Sequence, residues 1–334
     1  MKFLSTFAAA TSAVVVLSAA PASAKFGNGL PWAADNTWAK KIPEGAISWY
    51  HHWERGYVPD MPKGAEYVPT FWGPEKWDDW NQRKDEISKH NSKHILAFNE
   101  PDVASQANMS PDEAVSLFMK ELQPYAEQGI RVSSPQMVFN MDWLNQFMNK
   151  CHSAGCNVSF MALHWYGSYK DMDKFKHWVK NVHKKFNLPV WVTEFGITAE
   201  SNPSQDQVNK FADEAIKWMA KQDYVERAAW NGCYDISTPP DQYATPLNAM
   251  FNNGGSFRQL ANIWLPALAA AGLSHKENHS SGNSRRHAQM IKRSPSFKAE
   301  TAKRNNKAEK KERKPAYSFG PGKKPLVRIA FPKL

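Results

Sequence analysis

Between residues 25 and 265 the chain repeats one pattern: a short apolar run, a polar loop, then a segment with apolar residues at helical spacing. The apolar runs predict strands at 27–32, 46–53, 66–73, 94–99, 131–136, 158–165, 189–195 and 227–232. Strands that alternate with helices cannot pair through tight hairpins. Each crosses over to a parallel neighbour, leaving its helix on the face of the sheet. Eight such units in about 240 residues fit a closed (β/α)8 TIM barrel, whose usual length is about 250. An open doubly wound sheet is the competing arrangement, but Gly27-Asn28-Gly29 lacks the rest of a phosphate-binding glycine fingerprint.

The helices carry their own signals. Ser110-Pro111-Asp112-Glu113 reads as a capping box with proline at the first helical position, followed by Val115, Phe118 and Leu122 on one face and a stop at Gly129. Phe175, Trp178, Val179, Val182 and Phe186 form a second stripe, and Val208, Phe211, Ala215, Ile216 and Met219 a third. Such stripes are what helix-on-sheet packing requires, so they are assigned to the core. A closing helix is expected over 257–264.

The flanks differ in kind. Residues 1–24 combine Lys2, an apolar run through Leu17 and an Ala22-Ser23-Ala24 cleavage pattern, which predicts a secretory signal peptide and a secreted or cell-wall location. The run is too short to span a bilayer, so no membrane association is expected. The formal charge of +10 is concentrated in the tail, which from Leu265 onward holds 17 Lys and Arg against 4 Asp and Glu. The remainder is mildly acidic, with 25 basic against 28 acidic residues. Residues 266–334 therefore read as a disordered, basic, low-complexity tail: either an arm for anionic polymers or a stretch foreign to the gene's true reading frame. No aromatics are interleaved in its densest charge run, residues 303–314, as nucleic-acid stacking would need, so no specific nucleic acid is expected. The barrel is expected to be a monomer.

Cys151 and Cys156 flank His-Ser-Ala-Gly at a predicted helix end, which places them within reach of a disulfide and leaves Cys233 as a buried thiol. No Cys-x-x-Cys pair is present, so neither a metal nor another cofactor is expected. The absence of a Gly-x-Ser-x-Gly elbow argues against serine hydrolysis.

In a barrel of this kind chemistry sits at the C-terminal ends of the strands. The fourth predicted strand ends in Asn99-Glu100-Pro101-Asp102 and the seventh in Thr193-Glu194-Phe195-Gly196. Two carboxylates at one mouth are the equipment of glycoside cleavage, one protonating the leaving oxygen while the other attacks the anomeric carbon or activates water.

With His164-Trp165-Tyr166-Gly167 and Trp230 added, this pattern resembles glycoside hydrolase family 128, which includes fungal cell-wall proteins of the alkali-sensitive-linkage type. The likeness covers about residues 25–265 and implies a retaining endo-β-1,3-glucanase on a (β/α)8 barrel. It further implies Glu100 as acid/base, Glu194 as nucleophile, Asn99 as the partner of a sugar 2-hydroxyl and Tyr166 as a contact of the nucleophile.

Sugar rings present apolar faces to aromatic side chains, and Trp32, Trp53, Trp72, Trp165, Tyr166, Trp230 and Tyr234 all fall near predicted strand ends. Of these, Trp32, Trp72, Trp165, Tyr166 and Trp230 are expected to bind substrate, with His164 as a hydrogen-bonded wall and His51 and His52 on opposite faces of one strand. The expected partner is a β-glucan polysaccharide or oligosaccharide. A wall protein that grips glucan without cutting it is the alternative use of the same barrel. Asn108-Met-Ser110 is the favoured N-glycosylation sequon over those at Asn157 and Asn278.

Overall fold

The computed structural model describes residues 26–53 and 56–265. The signal-like segment 1–24, the basic tail 266–334 and the Asn278 sequon lie outside the described residues. The strands are β1 (Gly27–Pro31), β2 (Trp49–His51), β3 (Glu66–Tyr67), β4 (His94–Ile95), β5 (Arg131–Ser133), β6 (Val158–Gly167), β7 (Val190–Ile197) and β8 (Val225–Trp230). All pair in parallel in the order β3-β2-β1-β8-β7-β6-β5-β4. The two ends meet where Phe71 N–H donates to Leu96 O and Leu96 N–H donates to Pro69 O, each at 2.9 Å, which closes the expected (β/α)8 barrel.

Several strands pair regularly over fewer residues than the apolar runs suggest. The cause is visible beside β4, where the hydroxyl of Ser133 accepts Ala97 N–H at 2.9 Å and that of Ser134 accepts Ala162 N–H at 2.9 Å. Side chains thus replace ladder carbonyls, and Pro135 has no N–H to offer. The chain still runs extended to the barrel mouth, held by single bonds such as Asn99 N–H to Trp72 O and Gln136 N–H to Phe98 O, both 2.8 Å.

Helices α1 (Trp77–Lys89), α2 (Pro111–Leu117), α3 (Gln123–Glu127), α4 (Met141–Ala154), α5 (Met172–Phe186), α6 (Gln205–Met219) and α7 (Gln259–Trp264) cover the outside. The capping box at Ser110 and Glu113 is formed. A π-turn over Phe118–Leu122 joins α2 to α3 just before Pro124, whose missing N–H breaks the regular helical ladder. The apolar stripes of α5 and α6 bury Phe175, Val179, Val182, Val208, Phe211, Ala215 and Met219 against the sheet.

Inside the ring, Trp49, Val68, Leu96, Phe160, Ala162, Trp191 and Ala229 form a separate apolar plug. Below it, at the N-terminal strand ends, Glu66, His94, Arg131, Glu226 and Arg227 form a network of ion pairs and hydrogen bonds. Above it the interior becomes polar, and that layer carries the candidate site.

Candidate active site

Strand alternation alone does not bring Glu194 inward. Trp191 belongs to the interior plug, so strict alternation along β7 would turn residue 193 in and residue 194 out. The register resolves this: Leu163 pairs with Val192, but the next residue, His164, pairs with Glu194. Thr193 is the extra residue of a β-bulge, which shifts the phase by one and aims Glu194 into the barrel beside His164. His51 pins the bulge, its Nε2 lying 2.9 Å from Thr193 O. Burial pushes the His51 pKa down to about 3, so this imidazole is neutral and Nε2 donates.

Glu100 is aimed by a different device. Its φ is +45°, a left-handed conformation that costs an ordinary residue on the order of 1 kcal/mol or more and that the following proline further disfavours. The turn is held because Glu100 N–H donates to Gln136 O and Val103 N–H donates to Glu100 O, both at 3.0 Å. The loop folds back on itself through Ala107 N–H to Asn99 O at 3.1 Å and Met109 N–H to Pro101 O at 2.8 Å.

These devices bring the two glutamates together around one histidine. One donor atom each from Glu100, His164 and Glu194 lies within 4.8 Å of the others, and all three residues are buried. His164 Nδ1 is 2.8 Å from Glu100 Oε1, while Nε2 is 3.3 Å from Gln136 Oε1 and 3.7 Å from Glu194 Oε2. Three donors serve Glu194: Tyr166 hydroxyl to Oε1, Asn231 Nδ2 to Oε1 at 3.3 Å, and Trp53 Nε1 to Oε2 at 3.0 Å. Asn231 Nδ2 also donates to the Tyr166 hydroxyl. The Glu-His-Glu grouping has the composition of a metal-binding cluster, yet both imidazole nitrogens already have hydrogen-bond partners. We read it as a pair of acids bridged by an imidazole.

Burial raises the proton affinity of both acids. Burial, with the nearby Asp241 charge, pushes Glu100 up to about 8. Burial also pushes Glu194 up, with the Glu100 and Asp241 charges adding to the rise and His164 and the Tyr166 hydrogen bond opposing it. Burial holds His164 below its ordinary value, so its contacts with the glutamates are neutral hydrogen bonds rather than ion pairs. Asp102, just beyond Pro101, is pushed up to about 6 by burial and by the neighbouring Glu100 charge.

The substrate-binding expectations divide sharply. Asn99, His164 and Tyr166 stand in the polar layer, with Asn99 Nδ2 donating to Gln106 at 3.1 Å. Trp165 and Trp230 do not reach it. Trp165 pairs with Phe195 one position out of phase with His164, and stacks on Phe211 at 5.2 Å on the helix side of the sheet. Trp230 is 0% exposed, donates to Asn248 O at 3.0 Å and sets its edge against Phe195 at 5.1 Å. Trp32, 2% exposed, donates to Asn36 and packs edge-on to Phe251, and Trp72, 6% exposed, lies under the Lys76 ammonium. None of these four indoles offers an open face to a sugar, because helix packing or loop packing already covers it.

Asn231 is the residue the sequence reading passed over. It follows Trp230, and alternation from the interior Ala229 places it inward, which is the signal that could have found it. Trp53 stood among the strand-end aromatics without being singled out. Cys151 and Cys156 are bonded, and Cys233 is a buried thiol. Asn108 is exposed and borders an open hollow of about 450 Å³ lined also by Pro74, Met109, Asp112, Glu113, Ser116 and Leu117. That hollow lies beside the Glu100 loop and includes neither glutamate.

Comparison with known proteins agrees with this architecture. The profile of the glycosyl hydrolase catalytic core family matches residues 29–264. The chain is 27% identical over 247 residues to alkali-sensitive linkage protein 1 of Schizosaccharomyces pombe, across 71% of this chain and 44% of that protein. It thus spans less than half the length of that relative. Among solved structures it is similar to a glycoside hydrolase family 128 curdlan-specific exo-β-1,3-glucanase from Blastomyces gilchristii in complex with glucose. That match has a TM-score of 0.60 at 29% identity and covers 72% of this chain and 97% of that one. A family 128 endo-β-1,3-glucanase variant from Amycolatopsis mediterranei, bound to laminaritriose and laminaribiose, matches with a TM-score of 0.59 at 25% identity over 74% and 99% of the two chains. With the barrel, the paired glutamates and a family profile spanning the whole ring, the chain belongs to the glycosyl hydrolase catalytic core family, glycoside hydrolase family 128.

Proposed function

We propose that the chain is a secreted β-1,3-glucan hydrolase that retains anomeric configuration, with Glu100 as acid/base and Glu194 as nucleophile. The observation that carries this reading is the separation of the two carboxylates, which offer oxygens within 4.8 Å of one another. Direct attack by a carboxylate requires the two groups about 5–5.5 Å apart, whereas activating an intervening water requires about 6.5–9.5 Å. The β-1,3 linkage is supported by the neighbours, which act on curdlan or hold laminari-oligosaccharides. Those neighbours include exo- and endo-acting enzymes; endo action is what the family resemblance implies and is retained here as part of the proposal.

In the first step the protonated Glu100 gives its proton to the glycosidic oxygen while a Glu194 oxygen forms a bond to the anomeric carbon, and the leaving sugar departs as an alcohol. In the second step ionised Glu100 takes a proton from water, the water oxygen bonds to the anomeric carbon, and the bond to Glu194 breaks. Tyr166, Trp53 and Asn231 favour the ionised nucleophile by donating to it, and Asn99 is the proposed partner of a neighbouring sugar hydroxyl.

Glu100→Gln and Glu194→Gln assayed on soluble β-1,3-glucan should each lower kcat by at least about 10²-fold, the lower bound for losing a general acid or nucleophile. Near-wild-type turnover in both variants would end the proposal, as would proton NMR of the first product showing inverted configuration. Binding of laminari-oligosaccharides without chain shortening would mark a glucan-gripping protein instead. Among the described residues no helix is long and apolar enough to cross a membrane. The exposed Asn108 is proposed to carry an N-glycan, read out as a mass shift on deglycosylation that Asn108→Gln abolishes.

A further inference from the structure

Gln136 stands on the segment that carries β5 up to the barrel mouth. Its backbone N–H donates to Phe98 O, its carbonyl accepts from Glu100 N–H, and its side-chain Nε2 donates to Ala97 O at 2.9 Å. A backbone carbonyl only accepts, so the amide atom facing Ala97 is the nitrogen and the atom facing His164 is Oε1. That oxygen only accepts as well, and it lies 3.3 Å from His164 Nε2. Nε2 therefore carries a hydrogen, which the Glu194 carboxylate at 3.7 Å also favours. His164 is 0% exposed, and burial disfavours its imidazolium, so the ring carries one proton and Nδ1 is a bare lone pair. Nδ1 lies 2.8 Å from Glu100 Oε1. Two lone pairs do not make a hydrogen bond, so the proton in that contact belongs to Glu100.

We propose that Gln136 is a positioning residue that locks His164 as the Nε2–H tautomer, and thereby stores a proton on Glu100 while leaving Glu194 ionised. One neutral imidazole accepts from the acid and donates toward the nucleophile. The inference rests on the roles given to the two glutamates above. It also accounts for the second half of the reaction: once Glu100 has released its proton to the leaving oxygen, its carboxylate faces the Nδ1 lone pair. That repulsion favours recovery of a proton from the attacking water.

Other titratable groups face the pair from every side. Glu194 approaches from β7, Asp102 from the Glu100 loop, and Asp241 and Tyr243 from the loop after β8, while His51 faces His164 from β2. The acids favour a protonated Glu100, as the tautomer lock does. Burial keeps Tyr243 and His51 uncharged near neutrality.

Nitrogen NMR of the full-length protein with ¹⁵N-labelled histidine, without substrate at pH 6–7, tests the lock directly. His164 should appear as a neutral Nε2–H imidazole; an Nδ1–H ring or an imidazolium would overturn the proposal. Gln136→Leu removes the acceptor and admits the Nδ1–H tautomer, which stabilises ionised Glu100. The basic limb of the kcat/KM profile should then move about one pH unit toward acid, a tenfold change in the Glu100 ionisation constant, with KM little changed. Gln136→Glu, in its protonated form, presents an O–H to Ala97 and a C=O to His164, and should return the limb toward its original position. An unmoved limb in a folded Gln136→Leu protein would also overturn the proposal. The tautomer is read on the resting wild-type enzyme, so a wrong tautomer with inactive Glu100→Gln and Glu194→Gln variants refutes the lock alone. The correct tautomer with active glutamine variants refutes the assigned roles.

Discussion

Substitution of Glu66 by Gln should convert a pH-dependent part of the stability into a constant. The Glu66 side chain is 18% exposed at the bottom of the barrel, where it accepts from His94 Nδ1 at 2.9 Å and Arg227 NH2 at 2.8 Å, with Lys93 N–H at 2.9 Å as a third donor. Burial alone would raise its pKa, but the His94 hydrogen bond and the Arg227 charge outweigh that and hold it at about 2, against 4.5 for a free glutamate. A depressed carboxyl stabilises the fold fully above its unfolded pKa, and the contribution fades as pH falls toward the folded one. At about 1.36 kcal/mol per unit, the shift corresponds to about 3 kcal/mol, present above about pH 5 and lost by about pH 2. Glutamine keeps an acceptor and cannot ionise, so it leaves the half-buried Arg227 without the carboxylate it is paired with, and only Glu226 nearby. Urea unfolding followed by circular dichroism should place the variant about 3 kcal/mol below wild type at pH 6, with the two proteins converging near pH 2. A gap that stays constant from pH 6 to pH 2 would refute the reasoning, since it would mean that ionisation of Glu66 contributes nothing.

Activity should fall as pH rises through about 8, because Glu100 is pushed up to that value and its ionised form cannot protonate the leaving oxygen; a kcat/KM profile flat to pH 10 would contradict this. Trp53→Phe removes the indole N–H from Glu194 and should lower kcat by about tenfold or more, the cost of a hydrogen bond to a charged group, with little change in melting temperature. Trp230→Phe should do the reverse, lowering unfolding free energy by about 1–3 kcal/mol through lost packing and the lost bond to Asn248 while KM stays unchanged. Reduction of Cys151–Cys156, which closes a loop of sequence separation 5, should cost about 2 kcal/mol by loop entropy, measurable as a lower urea midpoint with dithiothreitol.

The alternation of apolar runs with amphipathic helices determined the barrel. Parallel strands need crossovers, and eight crossover units close on themselves. The same grammar determined that Glu100 and Glu194 lie at one end of the ring, because each follows an apolar run at the C-terminal side. Capping signals at Ser110 were equally local and equally legible. Strand lengths were not, because the hydroxyls of Ser133 and Ser134 replace ladder carbonyls only when a particular neighbour lies beside them. Facing was the larger loss. Trp165 and Trp230 were expected at the site and Trp53 and Asn231 were not singled out, yet the first two pack on the outer side of the sheet and the last two donate to Glu194. Side-chain direction in a strand has period two, so one residue of phase separates a wall of the site from the outer core. That phase was reset by the bulge at Thr193, and the left-handed turn at Glu100 was held by Gln136 from another strand. Both are set by partners distant in sequence, and only the tertiary structure decided them.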